Sequence, residues 1–157
     1  MTKAPSISRD TPLNELILRR YEKPESIQER ELVRKLCLSL GMLQPGDSRD
    51  VMVDILDVLL RQRNKRQELT SEEIRALVIT NRKKYNLPMS GIASSNIRRQ
   101  LKRLRDIMLV EKVINNYRIT EFSKLGEVFN DKLERYLLTS IIHRIKEYIS
   151  RIDETYN

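Results

Sequence analysis

Residues 94–120 read SSNIRRQLKRLRDIMLVEKVINNYRIT, a basic segment with helical spacing that leads into the pattern of a β-hairpin. The first half, 94–106, carries five Lys or Arg residues and one acidic residue, Asp106. On a helix of 100° per residue, three apolar side chains fall within about 40° of Ile97: Leu101, Leu104 and Met108. The segment is therefore predicted to form a helix with one narrow apolar face, capped by Ser94 or Ser95.

The residues after this helix predict two short strands. The segments EKVI (111–114) and YRIT (117–120) have the composition of strands. Asn115 and Asn116 between them tolerate the positive φ values of a tight turn. A basic helix followed directly by a β-hairpin is thus the expected local structure.

Two interpretations of the basic helix are open. It is either the solvated outer face of an ordinary bundle helix or a surface that binds a polyanion. A bundle helix normally intersperses acidic residues for pairs four positions apart, and here Asp106 is alone. We favour polyanion binding, because uncompensated positive charges repel one another unless a partner neutralises them.

The net charge of +8 is confined to one quarter of the chain. Residues 81–118 hold ten Lys or Arg against two Asp or Glu, whereas the rest of the chain has 20 of each sign. A requirement for solubility would spread both signs over the surface, so this concentration favours a nucleic-acid partner. Acidic proteins and anionic membranes remain alternatives.

The segments before the basic helix predict further helices. Residues 1–9 are polar and predicted to be disordered. A short helix is expected after a cap at Asp10 or Thr11, and a second one over 25–40 that ends at Gly41. The cluster QPGDS (44–48) indicates a boundary.

The main domain is expected to open with a buried helix in SRDVMVDILDVLLRQRN (48–64). Thr70 and Glu73 then form the pattern of a capping box, which predicts a helix that turns Ile74, Leu77 and Val78 inward.

The motifs LTSEEIRALV (69–78) and GIASSNIRRQLKRLRDIMLVEKVINNYRIT (91–120) resemble the core of winged helix-turn-helix regulators of the MarR and ArsR kinds. The resemblance covers about residues 48–125. It departs from the family in the long connection TNRKKYNLPMS (80–90) and in Met108, where a glycine is common. The expected fold is mainly α with a small β-hairpin. A winged helix over 47–122 would lie between a helical extension at 10–46 and a helical arm at 123–157.

The resemblance implies that the basic helix occupies the major groove of double-stranded DNA and that the hairpin approaches the neighbouring backbone or minor groove. Arg and Asn suit such contacts, because their side chains match the edges of guanine and adenine. The residues expected to contact DNA are Ser95, Asn96, Arg98, Arg99, Lys102, Arg103, Arg105, Lys112 and Arg118.

The C-terminal arm has an apolar stripe that favours self-association. It contains no proline and is expected to form one long helix or two. Its apolar residues follow spacings of three and four, and those expected at a dimer interface are Leu138, Ile141, Ile145, Tyr148 and Ile152. The alternative is that the stripe folds back on the rest of the chain. A homodimer would match a two-fold DNA site.

The sequence offers little for catalysis. His143 is the only histidine and lies in the apolar arm, no Cys/His cluster suits zinc, and the glycines form no phosphate-binding motif. We therefore expect no enzymatic activity, no cofactor and no metal. The single cysteine, Cys37, cannot form an internal disulfide, and no apolar run is long enough to span a membrane. We therefore expect a cytoplasmic protein without a membrane partner, associated with the nucleoid through DNA.

Two functions are compatible with these patterns. The first is a sequence-specific, dimeric DNA-binding regulator of transcription. The second is a winged-helix interaction subunit of a replication, transcription or chromosome-organising complex, with protein partners bound through the helical extensions. The distribution of charge favours the first function.

Overall fold

The computed structural model describes residues 10–157, and the tail 1–9 that was predicted to be disordered lies outside the described residues. The fold is mainly α with a small antiparallel sheet, as predicted. In chain order the elements are α1 (Glu29–Ser39), α2 (Val51–Asn64), β1 (Leu69–Thr70), α3 (Ser71–Lys84), α4 (Ser94–Asp106), β2 (Val110–Val113), β3 (Asn116–Ile119), a 3-10 turn (Thr120–Phe122), α5 (Leu125–Val128), a π-helical stretch (Phe129–Leu138) and α6 (Thr139–Thr155). This order is consistent with a winged helix.

The sheet has the order β1-β3-β2 and contains the predicted hairpin. Val113 pairs with Asn116, so the connecting turn is Ile114–Asn115 and the prediction of Asn115–Asn116 was wrong by one residue. This register lets Val110 and Ile119 pair and face the core, and a slip by one residue would turn them outward. Strand β1 was not predicted, because two residues are too few to show alternation.

The core is built from apolar residues of α1, α2, α3 and α4 together with the sheet and residues 128–137. The predicted capping box begins α3: the Glu73 backbone N–H donates to Thr70 Oγ1 at 3.2 Å, and the Thr70 N–H donates to Glu73 Oε1 at 3.1 Å. Ile74 and Val78 are buried as predicted, but Leu77 is 37% exposed. The buried face of α3 follows a spacing of four, so its third member is Arg82 and not Leu77.

The N-terminal extension contains one α-helix and not two. Residues 12–24, here called the N-terminal segment, form no helix, so the helix expected after Asp10 or Thr11 is wrong, and α1 begins at Glu29, four residues later than predicted. The N-terminal segment caps α1 from outside: the Arg19 N–H donates to Ser39 O at 2.8 Å, and its guanidinium donates to Leu38 O at 2.9 Å. The carbonyls of Leu38 and Ser39, at the end of α1, have no partner within the helix, and Arg19 supplies one for each. The N-terminal segment is thus held in an irregular course along the end of α1.

Gly41 ends α1 in the left-handed region at φ +69°, as the sequence predicted. A Cβ at this position would lie 2.5 Å from the Cβ of Ile17. The N-terminal segment can therefore pack against the end of α1 only because residue 41 has no side chain.

A buried ionic cluster joins the N-terminal extension to the main domain. The Arg82 side chain is fully buried, and its Nη1 donates to Asp54 Oδ2 at 2.7 Å and to Asp50 Oδ1 at 3.0 Å. Arg30 of α1 donates to the same two carboxylates at 3.0 Å. Arg82 Nε donates to Pro88 O at 2.6 Å, which anchors the loop before α4. The side chains of Arg30, Asp50, Asp54 and Arg82 thus tie together α1, α2, α3 and that loop.

The neighbouring guanidinium groups offset the cost of burying the Asp50 carboxylate. Burial disfavours the ionised form of Asp50, but the hydrogen bond from Arg82 and the charge of Arg30 outweigh it and lower the pKa of this carboxyl. Asp50 is therefore ionised at neutral pH, where it pairs with the guanidinium groups of Arg30 and Arg82.

The C-terminal helix, defined here as residues 125–155, is continuous through its π-helical middle. Leu133 and Leu137 are buried against the core, whereas every residue from 142 to 157 is exposed. The alternative that the apolar stripe folds back on the chain is therefore wrong for this part of the helix. No helix within residues 10–157 has both the length and the apolar character needed to cross a membrane.

Replacing Asp54 by Ala is expected to destabilise the protein by roughly 3–5 kcal/mol, because the buried guanidinium of Arg82 loses its closest counter-charge. Urea unfolding followed by circular dichroism measures the change. As a control, Asp106→Ala removes an exposed carboxylate paired with Lys102 at 3.2 Å and should cost less than about 1 kcal/mol. Equal effects of the two variants would refute the special role of the buried cluster.

Candidate nucleic-acid interface

Helix α4 presents opposite faces to the core and to solvent. Ile97, Leu101 and Leu104 are fully buried, as the helical wheel predicted. The other side is polar and basic, and its exposed residues are Ser95, Arg98, Arg99, Lys102, Arg105 and Asp106. This basic face of α4, defined by Arg98, Arg99, Lys102 and Arg105, contains four of the nine residues predicted to contact DNA.

Most of this positive charge is not neutralised within the chain. Among residues 10–157, Arg98, Arg99 and Arg105 have no ion pair with a carboxylate, and Lys102 pairs only with the exposed Asp106. The Arg99 guanidinium donates to Asn96 Oδ1 at 2.6 Å, which leaves its charge uncompensated. Exposed pairs such as Lys102–Asp106 are weak and are replaced easily by a stronger anion.

Two of the predicted residues, Asn96 and Arg103, point toward the flank of α4 and make internal contacts. The Asn96 side-chain amide donates to Gly91 O at 2.7 Å. Arg103 donates to Gln100 Oε1 at 2.8 Å and to Gly41 O at 3.2 Å, so it joins α4 to the end of α1. The sequence could not show this, because the contact of Arg103 spans 62 residues.

The start of α4 also differs from the prediction. Ala93 is the N-cap, and Ser94 is the first helical residue, so neither Ser94 nor Ser95 caps the helix. The first turn has no acidic residue and no side-chain cap. Its backbone N–H groups and the positive end of the helix dipole therefore add to the positive potential at this end of the basic face.

The hairpin adds one exposed cation beside the basic face of α4. Lys112 of β2 is exposed, and together with Lys102 and Arg105 of α4 it lines a cleft of about 460 Å³. Lys132 of the C-terminal helix lines the same cleft, although sequence reasoning did not select it. Its neighbours in sequence are predominantly acidic or neutral, so only the fold brings it beside α4. Three carboxylates also line this cleft: Asp106, Glu111 and Glu121.

Arg118 of β3 is held in an internal network. Its guanidinium lies 2.7 Å from Glu111 and 3.2 Å from Glu68, and its Cζ lies 4.7 Å from the centre of the Phe122 ring. The side chain is 26% exposed. The prediction that Arg118 contacts DNA remains open, but two carboxylates already neutralise its charge.

The residues predicted at a dimer interface lie along one side of the C-terminal helix. Leu138 and Ile141 are half-buried, whereas Ile145 and Ile152 are more than half exposed and Tyr148 is 68% exposed. The exposed residues Ile142, Ile149 and Tyr156 widen this apolar stripe. Within residues 10–157 nothing covers the stripe beyond residue 141.

Comparisons with protein families, with curated proteins and with solved structures found no match for this chain. Within residues 10–157, no group of three or more His, Cys, Asp or Glu side chains could hold a metal ion. The positive surface on α4 and the hairpin is the candidate functional site.

Replacing Arg118 by Ala is expected to lower the free energy of unfolding by about 1 kcal/mol, since two half-buried carboxylates lose their partner. Lys112→Ala on the neighbouring strand is the control and should change stability by less than about 0.5 kcal/mol. Both are measured by urea unfolding. If Arg118→Ala proved as neutral as the control, the guanidinium would not be held by Glu68 and Glu111 in solution.

Proposed function

We propose that the protein binds double-stranded DNA by placing the basic face of α4 in the major groove. The observation that carries this proposal is the group of four exposed cations on one side of a helix whose other side is fixed in the core. A surface of this kind needs a polyanion to offset the mutual repulsion of its charges. An α-helix fits the major groove, which is about 12 Å wide.

The contacts divide into two kinds. Arg98 and Arg105 lie toward the edge of the basic face and, with Lys112 of the hairpin, bind phosphates, which supply affinity independent of sequence. Arg99, Lys102 and Ser95 lie nearer its centre and face the base edges, where a guanidinium matches guanine O6 and N7. Their arrangement supports a sequence-specific DNA-binding protein of the winged-helix class, acting as a regulator of transcription.

We further propose that two copies of the protein bind the DNA together as a homodimer. The apolar stripe of the C-terminal helix supports self-association, because exposed contiguous apolar surfaces mark interfaces. A two-fold dimer presents two α4 helices to two half-sites of a palindromic sequence.

The DNA-binding proposal is tested by fluorescence anisotropy with labelled duplex DNA over a series of salt concentrations. The wild type is expected to bind with a steep salt dependence. Arg98→Ala/Arg105→Ala should weaken binding at least about tenfold and lower the slope of log K against log [salt] by about two, one for each phosphate that is no longer neutralised.

A matched control removes the same charge elsewhere. Lys146→Ala/Arg151→Ala takes two cations from the exposed end of the C-terminal helix and should leave the slope unchanged. An equal reduction of affinity in both double variants would mean that only net charge matters, and no binding by the wild type at low salt would refute the proposal.

Self-association is tested by light scattering at micromolar concentration. The wild type is expected at twice the chain mass, and Ile145→Asp is expected as a monomer, since a charge in an apolar interface is not compensated. Ser150→Asp adds the same charge on the opposite side of the helix and should remain dimeric. A monomeric wild type would contradict the proposed dimer.

A second candidate function is an interaction subunit of a larger complex. The same apolar stripe favours it, because a helix with an exposed apolar side can dock into a groove of another protein. A chain that is monomeric and does not bind DNA, but is retained on one defined protein partner through Ile145, would support this function over the first.

A further inference from the structure

A cavity of about 510 Å³, here called the arginine cavity, lies between residues 42–52, the loop that precedes α4 and the first half of α4. Arg99 and Arg103 of α4 line it, together with Arg49, which precedes α2. The only carboxylate in its wall within residues 10–157 is that of Asp47. Three guanidinium groups therefore meet one negative group, and the cavity carries an excess of positive charge.

Neutral side-chain amides hold two of these arginines in position. Asn96 Oδ1 accepts hydrogen bonds from the Arg99 guanidinium at 2.6 Å and from Gln100 Nε2 at 3.1 Å. Gln100 Oε1 accepts one from the Arg103 guanidinium at 2.8 Å. Asn96 Nδ2 anchors this row by donating to Gly91 O at 2.7 Å. Because amides carry no charge, they fix both guanidinium groups without neutralising them.

None of the three arginines forms an ion pair with a carboxylate in the part of the chain that the structure describes. Arg49 is exposed, and its backbone N–H, not its guanidinium, donates to Asp47 Oδ1 at 2.9 Å. Arg103 also donates to Gly41 O at 3.2 Å, which is again a neutral acceptor. Like charges in one cavity repel one another, so an anion bound among them would be stabilised.

The guanidinium groups and the rest of the cavity wall indicate the chemistry of such an anion. A guanidinium forms two parallel hydrogen bonds to a phosphate, and arginine is therefore favoured where phosphates are recognised. Met42, Val51 and Met52 form an apolar part of the same wall, and methionine packs well against aromatic rings. The volume lies in the range of small-molecule sites. The cavity thus suits a molecule with a phosphate at one end and a ring at the other.

We propose that the arginine cavity binds a small phosphorylated ligand of the size of a mononucleotide. The phosphate lies between Arg99 and Arg103, where the row of amides already holds two guanidinium groups, and Arg49 supplies a third. The ring of the ligand packs against Met42 and Met52. Side chains that are already held in position lose little conformational freedom when the ligand binds.

Arg99 belongs both to this cavity and to the basic face of α4, so the ligand affects DNA binding. This second part of the inference rests on the proposed function. A phosphate bound to Arg99 withdraws that side chain from the base edges and adds negative charge beside the surface proposed to enter the major groove. Ligand and DNA therefore weaken each other's binding by the same factor, because coupling between two binding equilibria is reciprocal.

Isothermal titration calorimetry with adenosine monophosphate as the probe tests the site. The wild type is expected to bind this probe at least about tenfold more tightly than adenosine or inorganic phosphate, because only the complete molecule contacts both the arginines and the apolar wall. Arg49→Ala and Gln100→Glu should each weaken binding about tenfold. The first removes a cation, and the second places a carboxylate between Arg99 and Arg103.

Matched variants make the same changes of charge outside the cavity. Arg98→Ala removes a cation from α4, and Gln67→Glu adds a carboxylate, and neither residue lines the cavity. Both should bind adenosine monophosphate as the wild type does. Equal affinity of the wild type, Arg49→Ala and Gln100→Glu would overturn the inference, as would a wild type that binds the monophosphate no better than adenosine. If circular dichroism shows that Gln100→Glu is unfolded, the exposed Arg49 alone decides the test.

Anisotropy with duplex DNA, with and without saturating adenosine monophosphate at constant ionic strength, separates this site from the proposed function. The monophosphate should weaken DNA binding by the wild type about tenfold and should have no effect on Gln100→Glu. DNA binding that is indifferent to a bound monophosphate would overturn the coupling.

The two proposals fail in different ways. If the monophosphate binds and DNA does not, the ligand site stands and the proposed function fails. If DNA binds, the monophosphate does not, and Arg49→Ala weakens DNA binding, the cavity holds a phosphate of the DNA backbone. That result overturns the ligand site and leaves the proposed function in place.

Discussion

The buried guanidinium of Arg82 is the interaction on which the arrangement of this protein depends. It lies between Asp50 and Asp54 of the α2 region and reaches Pro88 O in the loop that leads to α4. That loop is long and has no regular structure of its own, so its course is fixed by anchors. Because Arg30 binds the same carboxylates, one cluster sets both the approach to α4 and the attachment of α1. The loop that leads to α4 is therefore anchored by this cluster, and the helix itself is held by its buried apolar side.

The elements with a periodic or capped sequence were predictable, and those held by distant contacts were not. The spacing of Ile97, Leu101 and Leu104 predicted the core face of α4, and the Thr70–Glu73 capping box predicted the start of α3. These signals are local, since each lies within one or two helical turns. The course of the N-terminal segment depends instead on bonds from Arg19 to the end of α1, across about twenty residues. No local pattern encodes such a contact.

In the candidate site, too, local features were predictable from the sequence and features set by distant contacts were not. The excess charge of residues 81–118 located the positive surface, but a count of charges does not show which cations are free. Arg82 is buried in the core, Arg103 binds the end of α1, and Arg118 is paired with Glu68 and Glu111. Lys132 joins the surface from a segment with no excess of positive charge. The sequence therefore identified the region, and tertiary contacts decide which side chains in it can meet a ligand.

The exposed apolar stripe of the C-terminal helix limits the stability of that helix. Its last turns, residues 142–155, have no packing partner within residues 10–157. A helical segment of this length without packing contacts is only marginally stable in water. Helical stability in proteins comes mainly from covering an apolar side, so the stripe of Ile145, Tyr148 and Ile152 needs a surface against it to remain helical. In the proposed homodimer, the second copy supplies a matching stripe. In the proposed dimer, self-association and helix stability are coupled, and the proposed spacing of two α4 helices on DNA rests on the same apolar contact.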